Sequence, residues 1–164
     1  MMDLDALRTC HPTLMSWLAE ALANYAALAL QRRHKPGVKL SLVIAGKEID
    51  EALTWRPRPS TTLVDTKRAT EDAAECVALA IVGHHRKWRI VRRLQSELGE
   101  GADWLMLNTE SGQEIVLEIS GTDAGPFETR VRKKRSQAAL AATVRGTPAV
   151  SVVRFSDPKA MLEG

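Results

Sequence analysis

Aromatic side chains are scarce: one tyrosine, two phenylalanines and four tryptophans make up 4% of 164 residues. That scarcity argues against a sheet that stacks RNA bases on exposed Phe and Tyr rings. Cysteine is scarcer still. Cys10 and Cys76 stand far apart, outside any CxxC or Cys/His grouping, so a disulfide framework and a structural zinc site both lack ligands. Long apolar runs are missing too. The longest, Trp17 to Leu30, contains Glu20 and Asn24 and falls short of the roughly 20 residues of a membrane span. The opening Met1-Met2-Asp3-Leu4-Asp5 is acidic where a secretory signal is basic. There is no Walker-type loop and no GxGxxG, and Ser111-Gly112 and Ser120-Gly121 are not nucleophile elbows. A cytoplasmic protein of a reducing compartment, with no membrane contact, is expected.

What is present is ordinary globular material: 45% apolar, 26% charged and a net charge of +3. The pI is near 9.1. This is one domain's worth of chain. Leu14, Leu18, Leu22, Ala26 and Leu30 recur one turn apart and predict a helix over 13–33, stopped by His34-Lys35-Pro36-Gly37. Its apolar face either covers the sheet or forms an oligomer contact. Val38 to Ala45 alternates as a strand, and Gly46 to Trp55 reads as a turn and a short helix. Arg56-Pro57-Arg58-Pro59-Ser60 is an extended linker. A second helix is expected over 69–84, capped by Thr66 or Thr70, with Cys76 on its buried face. Strands follow over 87–93, 103–108 and 114–120, with a turn at Gly99-Glu100-Gly101. A helix over 127–145, a last strand over 149–155 and a polar tail complete the chain. His84-His85 is read as a helix-end pair, since adjacent side chains diverge on a helix.

From Glu97 to Glu128 there are eight acids and no Lys or Arg. Basic runs flank the block: Arg86, Lys87, Arg89, Arg92 and Arg93 before it, and Arg130, Arg132, Lys133, Lys134 and Arg135 after it. Carboxylates that hold a hard divalent ion, beside cations that hold a polyanion, are what a metal-dependent phosphodiester site needs. A solvated acidic hairpin between solvated basic segments has the same composition. Position sharpens the choice. Strand alternation puts Val116, Glu118 and Ser120 on one face, and a carboxylate inside an apolar strand needs a partner or a metal. An ion pair with a residue of 130–135 would also satisfy Glu118. Asp103 opens the preceding strand, and Glu71 and Glu75 lie one turn apart on the first core helix.

The order αβββαβ, with Asp103, fourteen intervening residues and then Glu118-Ile119-Ser120, resembles the PD-(D/E)XK superfamily of restriction-endonuclease-like nucleases. The resemblance covers residues 66 to 156. It implies an α+β fold, a mixed β-sheet flanked by helices, carrying an N-terminal helix and strand over 1–65 and a tail over 157–164. It also implies that Glu75, or Glu71, together with Asp103 and Glu118 binds Mg²⁺ or Mn²⁺ to activate water against a phosphodiester. Two positions depart from the pattern. Ser120 stands where the motif has lysine, and Ala102 where it has proline. Some members move the lysine to the following helix, where Lys133 or Lys134 is available, and Gln137 resembles a helix glutamine of some branches.

With the motif lysine gone, the leading expectation is a non-catalytic nuclease-like module. It would bind nucleic acid, or a partner protein or second copy, through its basic segments. The first alternative is an active nuclease with Asp103 and Glu118 as ligands and Lys133 or Lys134 assisting. The second is a structural subunit without nucleic-acid contact. A role in bacterial defence or DNA processing follows from analogy with the superfamily alone.

Overall fold

The computed structural model of the chain describes residues 1–59, 66–94, 102–142 and 146–164. Its centre is a mixed eight-stranded sheet in the order β1-β3-β2-β8-β7-β6-β5-β4. In chain order the elements are β1 (Met2–Asp3), a 3₁₀ turn (Leu4–Ala6), α1 (Leu7–Cys10), α2 (Ser16–Gln31), β2 (Val38–Ile44) and β3 (Lys47–Thr54). Then come α3 (Thr66–His85), β4 (Trp88–Arg93), β5 (Trp104–Asn108), β6 (Glu114–Thr122), α4 (Phe127–Ala142), β7 (Thr147–Arg154) and β8 (Lys159–Glu163). The expected α+β class with a mixed sheet and flanking helices is what the chain adopts.

Helix α2 is rich in Ala and Leu, the residues with the best helix propensity, and buries Ala19, Leu22, Ala23, Ala26, Ala27 and Leu30. It packs along α3, so its apolar face meets another helix as well as the shared core. Helix α3 is buried nearly all round from Ala73 to Val82, because it lies between α2 and the sheet. Its many alanines allow that close approach. Thr70, one of the two expected caps, lies inside α3.

Two segments differ from their sequence reading. Residues 47–54 form strand β3, not a short helix. Ala45 and Gly46 both have positive φ, 47° and 78°, the signature of a two-residue hairpin turn that pairs Ile44 with Lys47. Glu51 on the inward row of β3 had hidden the period of two. The expected polar tail contains strand β8, whose Ala160, Met161 and Leu162 are buried. It runs antiparallel to β7 and parallel to β2, and so joins the N-terminal hairpin to the rest of the sheet. Three apolar residues between charges were too short a run to show a pattern.

The second half follows the expected order. Strands β4, β5 and β6 form an antiparallel meander, and β7 returns through α4 to lie parallel to β6. One face of β6 carries Ile115, Leu117 and Ile119 into the core below α3. The opposite face meets α4, where Phe127, Val131 and Ala138 pack on Val150, Val152 and Met161. The Arg56–Pro59 stretch has no regular structure but is tied down: Arg58 is ion-paired with Asp5, and its N–H donates to Gln31 Oε1 at 3.0 Å. The turn expected at 99–101 and the end of the helix expected to reach Arg145 lie outside the described residues.

Candidate active site

The candidate site forms where β6 outruns β5. Strand β5 begins at Trp104, opposite Leu117, so β6 continues through Thr122 with no neighbour on that edge. Its outward-pointing N–H groups would be left bare, and a buried unpaired N–H costs about 1–3 kcal/mol. Two carboxylates meet them. Asp103 Oδ2 accepts from the Ile119 N–H at 2.6 Å, and Glu71 Oε2 accepts from the Gly121 N–H at 2.8 Å. The geometry of the sheet end therefore draws an acid from the β4–β5 connection and an acid from α3 to the same strand.

Glu118 stands between them on the α4 face of β6 and is almost fully buried. Lys134, one of the four consecutive cations of α4, reaches down to ion-pair with it. Burial pushes the Glu118 carboxyl up to about 7; the nearby Asp103 charge adds to this, and Lys134 opposes it. Asp103 is raised as well, by burial first, against its bond from Ile119 and the charges of Lys134 and Arg93. Ser120, fully buried one position along the same face, accepts a hydrogen bond from Arg130 at 3.0 Å; the same guanidinium lies 3.7 Å from Glu71.

Above these groups a cavity of about 320 Å³ opens to solvent, lined by Lys67, Glu71, Ser120, Arg130, Lys133 and Lys134, with Gln137 at its side. Four of those residues are cations and one is an acid. The Gln137 Oε1 is buried without a hydrogen-bond partner, which leaves an oxygen donor unsatisfied beside the cavity. Glu71 and the Gln137 carbonyl offer oxygens at the cavity itself, Asp103 and Glu118 lie outside its lining, and its cationic wall suits an anionic ligand.

The structure brings together Asp103, Glu118 and Lys134, with Arg130 and Lys133 lining the neighbouring cavity, all singled out from sequence. Glu75 is placed differently from its expected role. Its carboxylate accepts from Arg93 at 2.6 Å and from the Trp104 indole at 3.3 Å, and burial raises it to about 7. Glu71, one turn earlier, is the helix acid that shares the cavity with Lys134. The first basic run is split. Arg93 lies at the site end of β4, whereas Arg86 and Lys87 lie at the far end, Arg86 bonded to the Gly164 carbonyl at 2.7 Å. Arg89 and Arg92 are exposed along β4. Arg132 is exposed on α4, and Arg135 turns to Glu163. Lys67 was missed; its spacing of four from Glu71 on α3 was the available signal.

The acid-rich block contributes less than its count suggested. Glu110 and Glu128 are exposed, Asp123 pairs with Arg33 at 2.6 Å, and Glu97 and Glu100 lie outside the described residues. Among the described residues no helix is long and apolar enough to cross a membrane. Comparison with protein-family models, curated proteins and solved structures finds no match for this chain.

Proposed function

We propose that this chain is a divalent-metal-dependent nuclease with a degenerate PD-(D/E)XK-type centre. The carrying observation is that Lys134 descends from α4 onto Glu118, between Asp103 and Glu71, where Ser120 left the motif without its lysine. The order α3, β4-β5-β6 meander, α4, parallel β7 supports the same reading. It also moves the weight from the non-catalytic expectation, whose ground was the absent lysine.

Asp103 and Glu118 would hold Mg²⁺ or Mn²⁺, with Glu71 as the helix acid. The bound ion supplies Lewis-acid polarisation and a more acidic water. The chain's own residues do the rest. Lys134 places a positive charge at the site, where it offsets charge developing on the scissile phosphate. Arg130 is held by Ser120 and Glu71, so its guanidinium is oriented before substrate arrives. Lys67 and Lys133 at the cavity rim attract the polyanion, a salt-dependent contribution.

A second reading keeps its own support. Among the described residues, no trio containing Asp103, Glu118, Glu71 or Glu75 brings its ligand oxygens within 4.8 Å, and Lys134 lies on Glu118. That arrangement favours a nucleic-acid-binding module without catalysis.

One experiment separates the two. DNA and RNA are incubated with Mn²⁺ and the wild type, Glu118→Ala or Lys134→Met. Cleavage falling by about 10²-fold or more in both variants is the expected result. Equal cleavage by wild type and Glu118→Ala, or none by any form, overturns the catalytic reading. Binding that then weakens with salt leaves the binding module; salt-independent or absent binding leaves a structural subunit.

A further inference from the structure

Away from that cavity, the inward row of β3 runs Ile49, Glu51, Leu53, with Leu53 fully buried in the core. A carboxylate in such a row requires a cationic or metallic partner. Glu51 Oε1 lies 2.5 Å from the Met1 amine, and Glu51 Oε2 faces the C-terminal end of α3 at 3.3 Å from His85 Nε2. The His85 Nε2 is buried and has no well-aligned hydrogen bond.

The neighbouring ring changes the reading of the His84-His85 pair. On a continuing helix the two would diverge by about 100°. Here both lie in the last turn of α3, before the chain reverses at Lys87 with φ 56°, and their side chains bring the rings edge to face at 4.8 Å between centroids. One ligand atom each from Glu51, His84 and His85 lies within 4.8 Å of the other two. His84 is exposed and borders a cavity of about 190 Å³.

We propose that Glu51, His84 and His85 form a transition-metal site, of the zinc class, that clamps β3 to the end of α3. Two imidazoles and one carboxylate are the three-ligand set zinc accepts while keeping a fourth position for water. Imidazole nitrogen selects against the Mg²⁺ and Mn²⁺ proposed for the Asp103 and Glu118 carboxylates. The site shares no residue with that centre and does not depend on its chemistry.

The test titrates Co²⁺, as a coloured stand-in for Zn²⁺, into the full chain and into His84→Ala, Glu51→Gln and Glu118→Ala. The wild type and Glu118→Ala are expected to bind one ion each with visible ligand-field bands and a raised melting temperature. His84→Ala, an exposed change that leaves the fold intact, and Glu51→Gln are expected to bind at least about tenfold more weakly. No ligand-field bands in the wild type, or binding by His84→Ala equal to wild type, overturns the proposal. Bands lost in Glu118→Ala but kept in His84→Ala overturn it too, by moving the ion to the other site.

Discussion

The two faces of β6 were built from one alternating run, yet they do opposite things. Toward α3, Ile115, Leu117 and Ile119 join a continuous apolar core with Ala74, Val77 and Trp104. Toward α4, Glu118 and Ser120 are equally dry but polar, and each is met by a cation from the helix. The first face obtains its free energy from apolar burial, which is non-directional and tolerant. The second keeps a buried carboxylate, Glu118, whose desolvation works against the fold unless a cation stays beside it. A strand that needed only to be stable would carry apolar residues on both faces. Under the proposed function the polar face is chemistry maintained at a cost to stability, and changes on the two faces should then separate folding from activity.

The largest stability effect is expected on the apolar face. Leu117 is fully buried beneath α3. Leu117→Ala removes its methyl groups and leaves a cavity, with an expected loss of about 2–5 kcal/mol. Urea unfolding measures this directly. Under the proposed nuclease reading, cleavage per folded molecule should stay near wild type, since Leu117 points away from Lys134. A loss below about 1 kcal/mol would mean that the α3 face is less tightly packed than its burial implies.

Much of this was legible beforehand, and the reasons are physical. The αβββαβ order could be read because long periodic helices and a strand with Glu118 at one odd position leave clear patterns. Lys134 was legible only as one of four consecutive cations. Which of them turns inward depends on the exact rotation of α4 against β6, which spacing does not fix. Glu75 and Glu71 are equivalent by periodicity. They are told apart by Arg93 and Trp104, residues brought to Glu75 from β4 and β5. The β3 strand and the β8 strand were hidden, the first by a half-buried Glu51 on its inward row, the second by brevity. The convergence of His84 and His85 depends on how two side chains turn at the last turn of α3, which spacing does not fix.

A second test uses pH on the α3 side of the same region. Glu75 is an acid whose folded value, about 7, lies above its ordinary 4.5, through burial first and then the Asp103 and Asp72 charges, against Arg93. The folded state thus binds a proton more tightly than the unfolded chain. Its stabilising contribution is full below about 4.5 and is lost as pH rises through about 7. The loss is about 3 kcal/mol at most. Glu75→Gln keeps an acceptor for the Trp104 indole but cannot ionise. Its stability should therefore fall less than wild type when unfolding is followed from mildly acidic to mildly alkaline pH. Superimposable profiles would show that Glu75 is charged throughout, and that the polar groups flanking the two faces are less different than argued.

The sharpest break of the comparison lies at Gly121, which belongs to both regions at once. Its N–H binds Glu71 of the candidate site, while its missing side chain lets α3 sit directly on β6. A Cβ there would collide with the Thr70 carbonyl oxygen and approach the Ala74 Cβ to 2.9 Å. Because backbone is struck, no side-chain rotation relieves the contact. Helix α3 must move outward and carry Glu71 with it. Overpacking of this kind costs about 1–3 kcal/mol. Gly121→Ala should accordingly lower stability less than Leu117→Ala does and, if the proposed nuclease reading holds, reduce Mn²⁺-dependent cleavage per folded molecule where Leu117→Ala does not. If both variants kept full cleavage, the placement of Glu71 by the α3–β6 contact would be irrelevant to the chemistry, and only Asp103, Glu118 and Lys134 would remain as its candidates.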